Sequence, residues 1–259
     1  TLQAVRAGYP RAHLAWLVKR QWSSLLERAD GLDRVWEIGP GLRGWVSIVP
    51  RLRAERFDLV IDLQGLLRSG VMAWLTGCRR RVGFANGREG SPWFYTDRVS
   101  VPTAEMHAVD RYLLAAAAVG APSKGEPEFG LHPRLEDEQE VDRLLDERGI
   151  RRGAPWVAFG VSARWPTKRW PLESCAAVAE ALQRDGVRAV LIGGPEDRES
   201  ARDVIAHMSV PALDMTGTTR LRLLPALLSS AAVMVSNDSG PMHVASAVGT
   251  PVVAIPGRG

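Results

Sequence analysis

VMVSNDSGPMHVASAVG, residues 233–249, reads as a buried strand that empties through a polar loop into the start of a helix. Val233, Met234 and Val235 form the apolar strand, and Ser236, Asn237, Asp238, Ser239 and Gly240 form the loop. Pro241 suits a first helical position, where its missing N–H costs nothing. Asp238 or Ser239 suits the cap, and Gly249 suits the stop. The unpaired N–H groups of such a first turn, with the positive end of the helix dipole, favour a phosphate or diphosphate in front of them. Asp238 would repel that group directly, so its carboxylate is expected on the loop's own N–H groups or on a sugar hydroxyl. A capped turn that holds no ligand accounts for the same residues.

Outward from this segment the chain repeats its pattern. HLAWLV (13–18), RVWEI (34–38), FDLVIDL (57–63) and RRVGF (80–84) form one group of apolar, strand-like runs. WVAFGV (156–161), RAVLIGG (188–194), ALDMTG (212–217), VMVSND (233–238) and PVVAIPG (251–257) form a second, with helical segments such as LESCAAVAEALQRDG between them. Strands that alternate with helices indicate parallel sheets covered on both faces. The stretch from 121 to 137, APSKGEPEFGLHPRLED, is rich in proline, glycine and charge and reads as a linker. Two doubly wound α/β domains are expected, 1–125 and 126–259, facing each other across a cleft, with ligands at the carboxyl ends of the strands. TLQAVRAGYP reads as the tail of a helix and PVVAIPGRG stops after a strand, so a first strand with its loop and the last part of the second domain are expected to lie outside this sequence.

Composition narrows the class. A length of 259 residues suits two domains, and 46% apolar with 24% charged residues is ordinary globular composition. The net charge of +4 is a weak pointer to an acidic partner. Arg79, Arg80 and Arg81 form a basic run without the interleaved aromatics that single-stranded nucleic acid would need, so no nucleic-acid partner is expected. Cys78 and Cys175 lie far apart, which argues against a metal knot or a disulfide framework. The apolar run LLAAAAVG at 113–120 is far shorter than the roughly 20 residues of a membrane span. No transmembrane segment or signal peptide is read, and a cytoplasmic location is expected.

Three further loops follow strand ends in the second domain. GVSARWPTKRWP (160–171) offers Ser162, Arg164, Thr167, Lys168 and Arg169, a set suited to clamp a diphosphate, with lysine as a mobile point charge and arginine as a fork, while a solvated loop over packed tryptophans accounts for the same residues. Trp170-Pro171 opens the next helix. GGPEDRES (193–200) places Glu196 where an acidic residue accepts from a ribose hydroxyl, although a helix start would favour Glu196 and Asp197 equally. In TGTTRL (216–221), Thr218 or Thr219 reads as a helix cap. A competing fingerprint is GPGLRG at 39–44, which matches G-x-G-x-x-G with Asp62 downstream. Against a dinucleotide site there, HLAWLV precedes it and Pro40 removes an N–H, so a glycine-punctuated turn opening a helix near Leu42 explains it as well.

GVSARWPTKRWP, LIGGPEDRESA and VSNDSGPMHVASAVGTPVVAIPG resemble the donor-binding half of glycosyltransferase family 9, the ADP-heptose:lipopolysaccharide heptosyltransferases. FDLVIDLQGLLRSG, RVGFANGREGSPWFY and MHAVDRYL resemble its acceptor half, most closely in the members that add the first heptose to the Kdo of lipid A. The resemblance implies a GT-B fold of two Rossmann-like domains, acceptor domain first. It implies that Ser162, Arg164, Thr167 and Lys168 contact the diphosphate and sugar, that Glu196 holds the ribose, and that Asp238, Ser239, Gly240, Pro241 and His243 line the heptose and phosphates. On the acceptor side it implies Gln64, Arg68, Ser69, Arg88 and His107. Arg68 and Arg88 suit the Kdo carboxylate and the lipid A phosphates, which guanidinium groups bind bidentately; surface arginines paired with neighbours such as Glu89 are the alternative.

The implied reaction is inverting transfer from ADP-heptose to an anionic lipid acceptor at the inner face of the bacterial inner membrane. A carboxylate must take the acceptor hydroxyl's proton, and positive charge must stabilise the departing ADP. The chain holds no D-x-D metal motif, so no metal and no obligatory cofactor are expected. The family's base is an aspartate in the loop after the opening strand, expected upstream of Thr1. Asp62 and Glu105 are carboxylates of the same domain that their spacing does not recommend. A nucleotide-sugar-binding relative without transferase activity, a nucleotide-sugar epimerase on a similar fold and an NAD-linked oxidoreductase using GPGLRG remain open on sequence.

Overall fold

The apolar runs fold as parallel strands and the amphipathic segments between them as crossovers. The computed structural model describes residues 1–103, 105–122, 125–161 and 169–255. The chain divides into two units, Thr1–Phe129 and Gly130–Gly259.

The first unit runs α1 (Leu2–Gly8), β1 (Ala15–Lys19), α2 (Arg20–Leu26), β2 (Arg34–Ile38), α3 (Gly41–Ala54), β3 (Leu59–Asp62), α4 (Leu67–Leu75), β4 (Arg80–Phe84), β5 (Asp97–Val99) and α5 (Ala108–Ala118). β1 pairs with β2, and β3, β4 and β5 form a second sheet, all parallel. RVWEI and RRVGF are strands over the expected residues, while the runs at 13–18 and 57–63 shift or shorten to Ala15–Lys19 and Leu59–Asp62. The three residues of β5, Asp-Arg-Val, carry no apolar period, and they are a strand because β4 supplies the pairing edge. Val82 and Phe84 are fully buried against Ala115 and Ala116, whose small side chains let α5 lie close to the sheet. Trp36, Ile48, Leu52 and Met72 form a separate core beneath α3 and α4. Each such fully buried large side chain stabilises the fold by roughly 1.5–3 kcal/mol.

The second unit runs α6 (Leu135–Asp146), β6 (Trp156–Gly160), α7 (Leu172–Arg184), β7 (Arg188–Ile192), α8 (Arg198–Ala206), β8 (Leu213–Asp214), α9 (Leu224–Ser230), β9 (Val233–Asn237), α10 (Gly240–Ala247) and β10 (Val252–Ile255). Its strands form one parallel sheet in the order β10-β9-β6-β7-β8. The chain winds one way from β6 to β8 and the other way from β9 to β10. The order therefore reverses between β6 and β9, and in sheets of this kind the crevice for a ligand opens at that reversal, beyond the carboxyl ends of the strands.

The structure departs from the sequence pattern at the linker and at the 216–221 loop. The linker ends before 137, because Glu136, Asp137 and Glu138 form the first turn of α6, where the helix dipole favours acids. Asp137 is buried and meets Arg222 Nε at 3.3 Å, and Glu140 also pairs with Arg222, clipping α6 to the turn before α9. Thr218 and Thr219 do not cap a helix: Arg220 occupies the N-cap position of the 3₁₀ turn Leu221–Leu223, and Thr218 Oγ1 donates to Met215 O at 2.7 Å instead.

Candidate functional site

β6 and β9 are neighbours, with Gly160 opposite Ser236, so the loops leaving them start side by side. A Cβ at Gly160 would lie 2.5 Å from Ser236 Oγ, so only glycine lets β9 come this close. Asn237 then ties the far end of the first loop to the second strand: its Oδ1 accepts from Trp170 N at 2.8 Å. Val161 and Trp170 thus both lie at the carboxyl end of this strand pair. Ser162, Arg164, Thr167 and Lys168, the proposed diphosphate contacts between them, lie outside the described residues.

The loop after β9 leads into α10. Gly240 is its first helical residue and Pro241 its second, one position later than expected and equally harmless, since neither N–H would have a partner within the helix. Ser239 takes the N-cap position in extended backbone without a side-chain cap bond; its Oγ lies 3.0 Å from Ser236 Oγ. The amides of Gly240 and Met242 are therefore the groups that the first turn presents to an anion. His243 Nε2 stands 3.7 Å from Asp238 Oδ1, a solvent-exposed pair that spans the loop. At the other end, Gly249 is left-handed at φ +82°, and Thr250 N donates to Ala245 O at 3.0 Å, closing the helix as expected.

β7 lies on the other side of β6 and is followed by Gly193-Gly194. Glu196 is exposed in the 3₁₀ turn Pro195–Asp197. The neighbouring Asp197, not Glu196, holds the turn, accepting from Gly194 N at 2.8 Å, which leaves the Glu196 carboxylate outside the local capping.

The acceptor-side residues gather on the loops that leave β3, β4 and β5. Gln64 and Arg68 are exposed, and Arg68 Nε donates to Gln64 Oε1 at 3.3 Å. Ser69 serves the local fold: its Oγ donates to Leu66 O and accepts from Leu66 N, boxing the start of α4. The β4 loop closes on this one through Arg88 N, which donates to Gly65 O at 2.8 Å, and through Glu89, which accepts from Leu67 N at 3.3 Å. His107 caps α5, its Nδ1 accepting from Val109 N. Arg111, which the sequence reading did not single out, links α5 to the β4 loop by stacking 4.3 Å over Phe84 and donating to Asn86 Oδ1 at 3.2 Å.

Asp62 is held differently from either role considered for it. It is buried at the end of β3, with Oδ1 accepting from Gln64 N and Gly65 N and Oδ2 from the Tyr95 hydroxyl. β3 belongs to a different sheet from β2, which precedes GPGLRG, so the fingerprint and its acid do not form one βαβ unit. Gly44 is a close-approach glycine whose Cβ would overlap Gly39 O, and the motif is the turn that opens α3. Among the described residues no group of three or more His, Cys, Asp or Glu is placed to hold a metal ion, and no helix is long and apolar enough to cross a membrane.

Two successive Rossmann-like units of parallel strands place the chain in the GT-B fold class. The fold is shared with a glycosyl transferase family 9 crystal structure from Veillonella parvula, at a TM-score of 0.88 and 24% identity over 98% of this chain and 74% of that one. It is shared also with E. coli heptosyltransferase WaaC, solved with ADP-2-deoxy-2-fluoro heptose, at a TM-score of 0.74 and 21% identity over 98% of this chain and 84% of that one. A family model described as Glycosyltransferase family 9 (heptosyltransferase) matches residues 45–258, and the chain belongs to that family. The lipopolysaccharide core heptosyltransferase OpsX of Haemophilus influenzae is 25% identical over 259 residues, 98% of this chain and 73% of that protein.

Proposed function

We propose that the chain is an inverting heptosyltransferase that moves heptose from ADP-heptose to the Kdo of lipid A, as a peripheral protein at the cytoplasmic face of the inner membrane, without an obligatory metal. The observation that carries this reading is the reversal of strand order between β6 and β9: the segment bearing Lys168 leaves β6 opposite Ser236 and returns at Trp170 on Asn237, the end of the strand that leads into α10. Its support from relatives is the lipopolysaccharide core activity named for OpsX and the ADP-heptose analogue named for WaaC.

In this reading the ADP diphosphate lies before Gly240 and Met242, with Lys168 and Arg164 as its counter-charges and Ser162 and Thr167 as hydrogen-bonding partners. Glu196 accepts from the ribose, and Asp238 and His243 face the heptose. Gln64, Arg68, Arg88 and His107 receive the acceptor, with Ser69 fixing the helix start beneath them. The acceptor hydroxyl oxygen bonds to the anomeric carbon while the bond from that carbon to ADP breaks, its electron pair leaving on the diphosphate. The amides and cations stabilise that charge as it develops. The hydroxyl proton passes to a carboxylate, a role that buried, fully engaged Asp62 does not fill.

Incubation with ADP-heptose and Kdo-lipid A tests the reading, with ADP release followed by chromatography and the anomeric configuration of the product by NMR. Acceptor-dependent ADP release with inverted configuration is expected. Release of free heptose alone, epimerised donor or retained configuration overturns it.

A further inference from the structure

One face of the first unit carries chemistry that the acceptor loops do not use. On α4, Leu67, Val71 and Trp74 recur at the spacing that aligns them in one stripe, and Leu67 and Trp74 are 44% and 56% exposed. The 3₁₀ segment Ser91–Phe94 lies against the same helix, since a Cβ at Gly70 would stand 3.1 Å from Ser91 O, and Trp74 meets Phe94 at 6.5 Å between ring centres. Its Trp93 is 84% exposed. This backbone is pinned: Arg98 Nε donates to Pro92 O at 3.0 Å and Arg81 Nε to Phe94 O at 2.7 Å, so Trp93 is held out in solvent on an ordered turn. Two exposed arginines outside the acceptor set adjoin these elements in the chain, Arg79 just past the end of α4 and Arg98 four residues after the 3₁₀ segment. Of the neighbouring acids, Glu89 accepts from Leu67 N and Asp97 stands 3.6 Å from Arg80.

We propose that this face docks the protein on an anionic lipid bilayer, the two indoles entering the headgroup layer and the guanidinium groups pairing with lipid phosphates. Indoles are favoured at that interface because one part of the ring is apolar and the N–H is wet. Excess positive charge beside them matches a negative leaflet. α4 has nine residues, so the attachment lies on the surface and does not span. The inference rests on the reading that the acceptor is lipid-borne and deepens it: the first turn of the docking helix α4 also carries Arg68 and Ser69, so the acceptor loops would sit at the membrane.

The test is sedimentation of the full chain with vesicles of phosphatidylcholine, alone or mixed with phosphatidylglycerol. The parent binds the mixed vesicles and not the neutral ones. The double variant Trp74→Ser/Trp93→Ser, whose melting temperature is expected to match the parent's because both side chains are exposed, partitions at least about tenfold more weakly. Arg79→Gln costs about fivefold. Equal binding by parent and double variant, or no binding by the parent, overturns the proposal, as does a parent dimer that the variant dissociates while vesicle binding is unchanged. Transfer to a deacylated, water-soluble acceptor separates the two readings. The double variant should match the parent there and fall behind on membrane-borne acceptor; a parent inactive on both refutes the transferase reading while the vesicle result still decides the docking face.

Discussion

The Tyr95 hydroxyl donates to Asp62 Oδ2 at 2.7 Å, joining the end of β3 to the residue that precedes Thr96 and β5. Asp62 Oδ1 accepts from Gln64 N at 2.9 Å and Gly65 N at 3.2 Å, so one buried carboxylate fixes the loop from which Gln64 and Arg68 project. Tyr95 lies against Gly83, where any Cβ would overlap its ring. Burial is the main cause that pushes the Tyr95 phenol above its ordinary range, and the Asp62 carboxylate adds to it, so the proton stays on the donor.

Tyr95→Phe keeps the ring over Gly83 and removes the donor. The carboxylate then loses one of three partners in a site that water does not readily reach. The expected cost is about 1–3 kcal/mol, read from the urea midpoint at unchanged slope. If the Gln64 loop serves the acceptor, KM for acceptor rises more than KM for ADP-heptose. A stability change within about 0.5 kcal/mol would mean the loop is held by other bonds.

Asn237 plays the corresponding part in the second unit. Asn237→Ala removes the acceptor for Trp170 N and so releases the end of the loop that carries Lys168. A stability loss of about 1–3 kcal/mol is expected from the orphaned amide, with weaker ADP binding by calorimetry. Unchanged ADP affinity would separate that loop from the nucleotide.

How far the sequence was legible follows from the range of each signal. RVWEI and RRVGF could be read because an apolar run bounded by turn residues is a local pattern. β5 could not, because Asp97, Arg98 and Val99 show no such pattern and become a strand only through β4. The segment at 233–249 was readable as strand, loop, helix and Gly249 stop, but the strand runs on through Ser236 and Asn237, read as loop, and the helix opens at Gly240, one residue before Pro241. What escaped were partnerships across the chain. Asp62 at a strand end looks like a base or a ribose acceptor, and only the stacking of β3, β4 and β5 shows that Tyr95, 33 residues away, claims it. Asn237 stood within the quoted loop, but its partner Trp170 lies 67 residues earlier, and the strand order that joins them is not local information. Arg111 gave only the sign of a helix surface charge.

Lys168→Ala tests the diphosphate assignment. If Lys168 meets the diphosphate as proposed, it acts as a point charge on oxygens that become more negative as ADP leaves, and its loss lowers kcat/KM for ADP-heptose by about 10²–10³ through the missing transition-state stabilisation. KM for the acceptor should move little. Equal donor kinetics in variant and parent would remove Lys168 from the diphosphate.

Cys175 supplies a pH test of the second unit's core. The thiol lies among Val157, Phe159 and Ala179, and burial raises its pKa from the ordinary 9.0 to about 12. The folded state therefore keeps the proton at a pH where the unfolded chain gives it up. Its contribution is fully present below pH 9 and is lost as pH rises toward about 12. Within that window stability should fall by up to about 1.4 kcal/mol per pH unit from this one group. Tyr95 adds a loss of the same sign above its ordinary value of 10.0, so the informative comparison is between the parent and Cys175→Ala, which keeps Tyr95. Urea unfolding across the window should show the parent losing stability more steeply than Cys175→Ala, although the variant starts lower because of the small cavity it leaves. Parallel pH profiles would mean that the thiolate is accommodated in the folded core, which the close packing of α7 against β6 and β7 does not allow without local opening.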